Sequence, residues 1–391
     1  MTDINNPVCP ACRQCMRLLG IVPMRDFDGV LFNREGDYLY CDSCGMVQVK
    51  TGLSDSEISS HYAETSLYFA MTGVGVGGDS LEDKERYANI WRFMVARGLT
   101  AGHLVDVGCS RGGFIRYLAE TNPEMTLCGV DCDARSLKQL VDAGIDAQVG
   151  DVFALPLQRE VDILSYFHVL EHIYDIDGVL AEATRVLKPQ GSLLIEVPDA
   201  VRYFLPETYV GSMFWLSMKE HVNHFSPVAI GKILARNGYG IVAIDRSSQL
   251  MKGNKCYPSL LLHARRGAET LVPLEMSNDF VKQFSDETLK MRVTARMIAE
   301  FEQTPLVFWG IGLEFFSLYS YIAPLLQGKE IKLLDSNPAK QSLTVDGITV
   351  NDPSFVPAAG TLICCSYMAK HQILEQAISL GWKRESILCL S

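Results

Sequence analysis

From about residue 81 the chain alternates two periodicities. Short apolar runs read as strands: HLVDVG at 103–108, TLCGVD at 126–131, VDILSY at 161–166 and GSLLIEV at 191–197. Between them, apolar residues recur every three or four positions, as in 81–97 and 114–120, which is the spacing of one helix face. Apolar strands separated by helices predict a mostly parallel sheet covered on both sides. Two later runs, YGIVAID at 239–245 and YPSLLLH at 257–263, lie close together and predict an antiparallel edge. A polar connector with helical spacing, about 275–303, leads to LVFWGIG at 306–312, EIKLLD at 330–335, TLICCS at 361–366 and the helix pattern AKHQILEQAISLG. This is a second, smaller α/β unit. The expected division is 1–55, 81–265 and 304–391. The glycines of TGVGVGGDS at 72–80 follow no strand pattern, and the stretch reads as a mobile loop.

A length of 391 residues suits two or three domains. The net charge of -11 argues against a general nucleic-acid binder, which needs Lys and Arg to displace counterions, and fits a small-molecule substrate better. No apolar run reaches the length of a membrane span, and MTDINNPVCPACRQC has no signal-peptide pattern. The expectation is a soluble, cytoplasmic protein.

Five of the 12 cysteines fall in the first 44 residues. Cys9-x-x-Cys12 and Cys41-x-x-Cys44 are two knuckles, each able to aim two thiolates at one metal. Four thiolates complete a tetrahedral site that suits structural zinc and leaves no position open for catalysis. Cys15 forms an overlapping CxxC with Cys12 and would be a fifth thiol.

The stretch from Leu104 to Phe114 is an apolar strand, a glycine-rich turn and a helix start. Asp106, Gly108, Cys109 and Gly112 lie on it, and Ser110 takes the middle position of what would otherwise be GxGxxG. Glycines let a cofactor approach the backbone, and the helix N-terminus offers free N–H groups. Asp131 closes the next strand, with Cys132 beside it, where an acid can accept both ribose hydroxyls. Taken alone, these features fit nicotinamide enzymes as well.

The ordered series continues with Gly150-Asp151-Val152, then Val169-Leu170-Glu171-His172, then Leu187-Lys188-Pro189-Gln190-Gly191, read as a turn before the fifth strand. Together the series resembles the class I S-adenosylmethionine (SAM)-dependent methyltransferases. The resemblance implies that Asp106 and Gly108 hold the methionine end of SAM and Asp131 the ribose. It puts Asp151 and Val152 beside the adenine and His168 near the sulfonium.

An aromatic insertion (Tyr203, Phe204, Tyr209, Phe214, Trp215) follows the fifth strand and ends in Lys219-Glu220-His221-Val222-Asn223-His224-Phe225-Ser226. Insertions at the carboxyl ends of strands are where α/β sheets bind ligands. The three-part layout resembles the sugar C-methyltransferases of deoxysugar biosynthesis, with an N-terminal zinc domain, a central SAM domain and a C-terminal Rossmann-like domain. There a Glu-His pair before YFS sits in the active site, and its histidine deprotonates the carbon beside a ketone. Glu220 and His221 fall on that pair. Lys219 stands where that family has histidine, and His224 replaces its tyrosine. The EHxxHFS form also looks like methyltransferases of surface-polysaccharide pathways, which implies O-methylation. The expected acceptor is a nucleotide-linked sugar or glycan precursor, with His221, Glu220 and His224 as catalytic candidates. An RNA methyltransferase with a zinc module is the contrasting reading, and the acidic chain disfavours it. In the C-terminal unit, Gly310 and Gly312 begin a Rossmann-like turn, and Asp335 stands where a ribose would meet it.

Overall fold

Strand β1 (His103–Val107) lies at the centre of an eight-stranded sheet. It pairs in parallel with β2 (Thr126–Asp131), and β2 with β3 (Asp146–Val149). On its other side it pairs in parallel with β4 (Val161–Phe167), and β4 with β5 (Leu187–Pro198). β6 (Tyr239–Asp245), β7 (Ser248–Met251) and β8 (Lys255–Arg266) complete the sheet, with β8 antiparallel to β5, to β6 and to β7. The spatial order is β6-β8-β5-β4-β1-β2-β3. The strand order reverses between β1 and β4, where ligands of open α/β sheets bind. The structure is a computed structural model that describes residues 7–66, 77–157, 160–210, 214–246, 248–251, 255–271, 274–276, 279–302, 304–367 and 369–390. Most of the glycine-rich stretch 72–80 lies outside the described residues.

The strands alternate between two apolar layers. Val105, Leu164, Ile195 and Leu262 face one cluster, which includes helices α4 (Ile176–Val186) and α5 (Pro227–Arg236). Leu104, Ile163, Leu194 and Leu261 face the other, which includes α1 (Leu81–Val95), α2 (Gly113–Thr121) and α3 (Lys138–Asp142). This is the doubly wound sheet that the sequence pattern predicts, with its antiparallel edge. The Leu187–Gly191 segment differs from expectation: it belongs to β5 itself. Val161 pairs with Leu187 and Ile163 with Ser192, so the residues between Leu187 and Ser192 are looped out of register.

Contacts divide the chain into two units, one of Met1–Leu18, Leu39–Thr208 and His221–Asn278, the other of Leu19–Tyr38, Tyr209–Glu220 and Asp279–Ser391. The segment 1–55 is therefore not a unit of its own. Its cysteine knuckles are buried with Met46, Phe225, Ala229 and Ile230 in the same apolar cluster as β1 and β4. Too small to form a core, its cysteine-bearing parts join that of the sheet, while Leu19–Tyr38 belongs to the second unit.

The second unit contains helix α6 (Phe280–Ala299) and a six-stranded sheet. β9 (Leu306–Trp309) pairs in parallel with β10 (Ile331–Leu334) and β13 (Thr361–Cys364), and β13 with β14 (Ile387–Cys389). The hairpin β11 (Thr344–Val345) and β12 (Ile348–Asn351) extends one edge. Helix α7 (Leu313–Ile322) packs Phe315 and Tyr319 on Phe308, and α8 (Lys370–Ser379) covers Trp309 from the other face. Among the described residues no helix is long and apolar enough to cross a membrane.

Candidate functional site

Four strand ends of the first unit supply the candidate site. After β1 the backbone turns through Gly108 (φ +72°), Ser110 (φ +50°) and Gly112 (φ +67°) into α2. Gly108 is required twice over: its φ is left-handed, and a Cβ there would lie 2.5 Å from the Val169 side chain. At the end of β2, the Asp131 carboxylate accepts the N–H of Ser110 at 2.7 Å and that of Asp133 at 2.9 Å. These bonds fix the carboxylate under the turn and leave lone pairs for two further donors, as a ribose diol requires. Asp106 is buried and accepts the Ser165 hydroxyl at 2.7 Å. Burial pushes its pKa up to about 7.

The other predicted cofactor residues divide into two kinds. Asp151 accepts the Phe153 N–H at 2.8 Å and the Ser59 hydroxyl at 2.9 Å, so it shapes the loop after β3. Val152 packs on the apolar cluster of α4 and α5. Cys109 is buried, its sulfur directed at Gly129, and it contributes packing beneath the turn. Cys132 is half-buried beside Asp131, and burial pushes its thiol up to about 12.

Beyond β4 and β5 lies a buried ionic row. Arg86 of α1 donates through Nε to Glu196 at 2.9 Å. Glu196 Oε2 is 3.7 Å from His168 Nε2, and His168 Nδ1 is 2.9 Å from Glu171 Oε1. Burial alone would lower the His168 pKa; the charge of Glu196 and the bonds to both carboxylates outweigh it and raise it. Burial opposes ionisation of Glu196 too, but Arg86 and His168 prevail and hold its pKa far below the usual carboxylate range. His168 has φ +57°, a left-handed conformation uncommon for a side chain of this size, and its N–H donates to Glu196 O at 2.8 Å.

Of the catalytic candidates, His221 and His224 come together. The His221 ring meets His172 edge-on at 4.8 Å between centroids and His224 at 6.2 Å. Burial, then the charges of the neighbouring histidines, keep the His221 pKa well below its ordinary value. His224 lies deeper, in a two-residue strand that pairs with Val47–Lys50, with Nδ1 3.0 Å from the Tyr203 hydroxyl. Its burial lowers its pKa to about 3. Glu220 is half-buried in a turn, and the unit boundary falls between it and His221. The aromatic insertion makes less of an open wall than its composition predicts, because Tyr203 and Trp215 are buried.

Cys9, Cys12, Cys41 and Cys44 converge, with their sulfurs all within 4.8 Å of one another and none in a disulfide. Cys9 lies 3.6 Å from Cys44, and Cys12 lies 3.3 Å from Cys41. Gly45 closes the second knuckle at φ +70°, its N–H donating to Cys41 O at 2.8 Å. Cys15 is exposed and stands outside the group. Four buried or half-buried thiols facing one point fit a soft divalent cation.

The second unit repeats the turn geometry of the first. Asp335 accepts the N–H of Ile311 at 2.8 Å and that of Asn337 at 2.8 Å, as Asp131 does with Ser110 and Asp133. Here Lys340 Nζ also bonds Asp335 at 3.1 Å and Ile311 O at 2.7 Å, taking the place beside the carboxylate. Glu314 is held at the start of α7 by the Tyr367 N–H, and burial raises its pKa to about 7.

Sequence reasoning missed Arg86, Glu171 and Tyr62 as members of the site. The signal for Arg86 was present: Asp83, Arg86, Tyr87, Ile90 and Met94 form the buried face of α1, and two of these core positions are charged. Tyr62, whose hydroxyl lies 3.0 Å from His172 Nδ1, precedes the sheet by 40 residues and carried no such signal.

Residues 81–244 match the family model described as a methyltransferase domain. A ubiquinone/menaquinone biosynthesis C-methyltransferase, UbiE, of Desulfotalea psychrophila is 31% identical over 107 residues, 26% of this chain and 44% of that protein. An uncharacterized 37.1 kDa protein in transposon TN4556 of Streptomyces fradiae is 31% identical over 102 residues, 24% of this chain and 30% of that protein. The chain thus spans less than half the length of these curated relatives. Among solved structures, the N-methyltransferase NodS of Bradyrhizobium japonicum with S-adenosyl-L-homocysteine is 16% identical at a TM-score of 0.39, covering 51% of this chain and 95% of that one. The similarity to methyltransferase domains lies in residues 81–244, the segment that holds the glycine turn and Asp131.

Proposed function

We propose that this protein transfers a methyl group from SAM to a sugar, in the form of a nucleotide-linked (deoxy)sugar or a glycan precursor, with His221 as the acceptor's general base. The observation that carries this reading is His221 itself: a buried imidazole, its pKa held below the ordinary value by burial, in edge contact with His172 just beyond the carboxyl end of β4. A neutral histidine there is available to take the acceptor's proton.

SAM supplies an already activated methyl group, which the acceptor's electron pair takes as the carbon–sulfur bond breaks to leave the thioether. The chain has to orient the acceptor in line and exclude water. Asp131 would hold the ribose and Asp106 with Gly108 the methionine end, with His168, fixed by Glu171 and Glu196, beside the reacting centre. His224, held by the Tyr203 hydroxyl, would support His221 from behind. The reading includes a structural zinc on Cys9, Cys12, Cys41 and Cys44, supported by their convergence as free thiols.

The test is incubation of the purified protein with labelled SAM and a panel of nucleotide sugars with and without a 4-keto group. Transfer confined to keto sugars selects carbon methylation through an enolate, and transfer to the others selects O-methylation. His221→Ala is expected to abolish turnover while SAH binding persists. Normal turnover in that variant removes His221 from the mechanism, and transfer to no sugar on the panel removes the acceptor class.

A further inference from the structure

Glu171, His172 and His221 form a donor set separate from the four cysteines. One ligand atom from each lies within 4.8 Å of the other two. Two of these side chains carry buried polar atoms with no hydrogen-bond partner: Glu171 Oε2, on a residue with no exposed surface, and His221 Nδ1, on a residue 7% exposed. Unpartnered polar atoms at such depth are rare, and each calls for an explanation. Here both belong to one small group whose third member is a half-buried imidazole.

The surroundings of the set are those of a metal centre. Glu171 Oε1 is tied to His168 Nδ1 at 2.9 Å, which fixes the carboxylate and leaves Oε2 over. His172 Nδ1 is tied to the Tyr62 hydroxyl at 3.0 Å, which fixes the ring. Outer hydrogen bonds of this kind orient ligating carboxylates and imidazoles. Metal–ligand distances of about 2.0–2.2 Å require donors roughly 3–4 Å apart, so from separations of up to 4.8 Å the three need to close by about 1–2 Å at most. Two imidazoles and one carboxylate suit zinc, cobalt, nickel or iron(II) and do not suit magnesium or calcium.

We propose that Glu171, His172 and His221 are a second metal site, which takes one first-row divalent transition ion, and that this ion competes with the acceptor's proton for His221. The competition rests on the function proposed above; the site does not.

The test uses the full chain with its cysteine site loaded with zinc, titrated with Co2+ and followed by calorimetry and visible absorption. One further equivalent of cobalt is expected to bind, with the weak visible bands of nitrogen and oxygen ligation. That equivalent should be lost in Glu171→Gln, His172→Ala and His221→Ala, each retaining its zinc and its binding of SAH. A protein that keeps zinc and SAH binding yet takes up no second ion overturns the site, as does a second equivalent that survives in all three variants. Slowed methyl transfer in the cobalt-loaded protein supports the competition. Faster transfer overturns the competition and the role of His221 as base, while the site stands on the binding data.

Discussion

The guanidinium of Arg86 and the carboxylate of Glu196 form a buried pair, Nε to Oε2 at 2.9 Å, that joins helix α1 to the carboxyl end of β5. Glu196 also faces His168, so one ion pair orients a side chain at the centre of the candidate site. Removing one partner of such a pair strands the other charge in a low-dielectric interior.

Arg86→Met is therefore expected to cost about 3–5 kcal/mol of stability, measured by urea denaturation. The double variant Arg86→Met, Glu196→Met should recover much of that loss, because no lone charge remains. A single variant within about 0.5 kcal/mol of the parent, as surface substitutions usually are, would mean the pair is not buried as described.

Asp106 gives a pH dependence of defined sign. Its pKa is raised from the ordinary 3.8 to about 7 by burial. The folded protein thus holds a proton that the unfolded chain has released, and stability falls as pH rises between those two values. Asp106→Asn should gain on the parent across that window and keep a constant advantage above it, read from denaturation curves at pH 4, 6 and 8. A difference independent of pH would contradict the shift.

The cysteine knuckles share the apolar cluster of β1, β4 and α5. Removing the zinc proposed for them with a chelator, or Cys41→Ser, should lower the melting temperature of the whole first unit and not merely loosen an N-terminal segment. Metal content and near-ultraviolet circular dichroism of the sheet's aromatic residues would be followed together. Chelation that removes zinc but leaves the melting curve unchanged would contradict this coupling. Arg236, which donates to Pro10 O at 2.7 Å and to Ala11 O, ties α5 to the first knuckle and provides a milder probe through Arg236→Ala.

Much of this arrangement was legible in the sequence. The alternation of apolar runs with helical spacing predicts the doubly wound sheet, and the glycine turn and Asp131 lie side by side at the strand ends. That Cys9, Cys12, Cys41 and Cys44 come together was readable from two CxxC spacings alone. What was not legible depends on contacts distant in sequence. Tyr62 reaches His172 across 110 positions, and Arg86 reaches Glu196 across another 110. The knuckles read as a separate domain because spacing says nothing of the apolar surface they share with α5. Pro189 and Gly191 suggested a turn, but the strand runs from Leu187 to Pro198, with pairing to β4 skipping from Leu187 to Ser192.

The turn from Gly108 to Gly112, with Asp131 beneath it, is proposed to hold an adenosyl sulfonium compound. Calorimetric titration of the zinc-loaded protein with S-adenosylhomocysteine tests it most directly. One bound equivalent is expected, weakened by about 10- to 100-fold in Asp131→Ala, in keeping with about 1–3 kcal/mol for hydrogen bonds to a charged group. No binding to folded parent protein, or equal binding in the Asp131 variant, would contradict it.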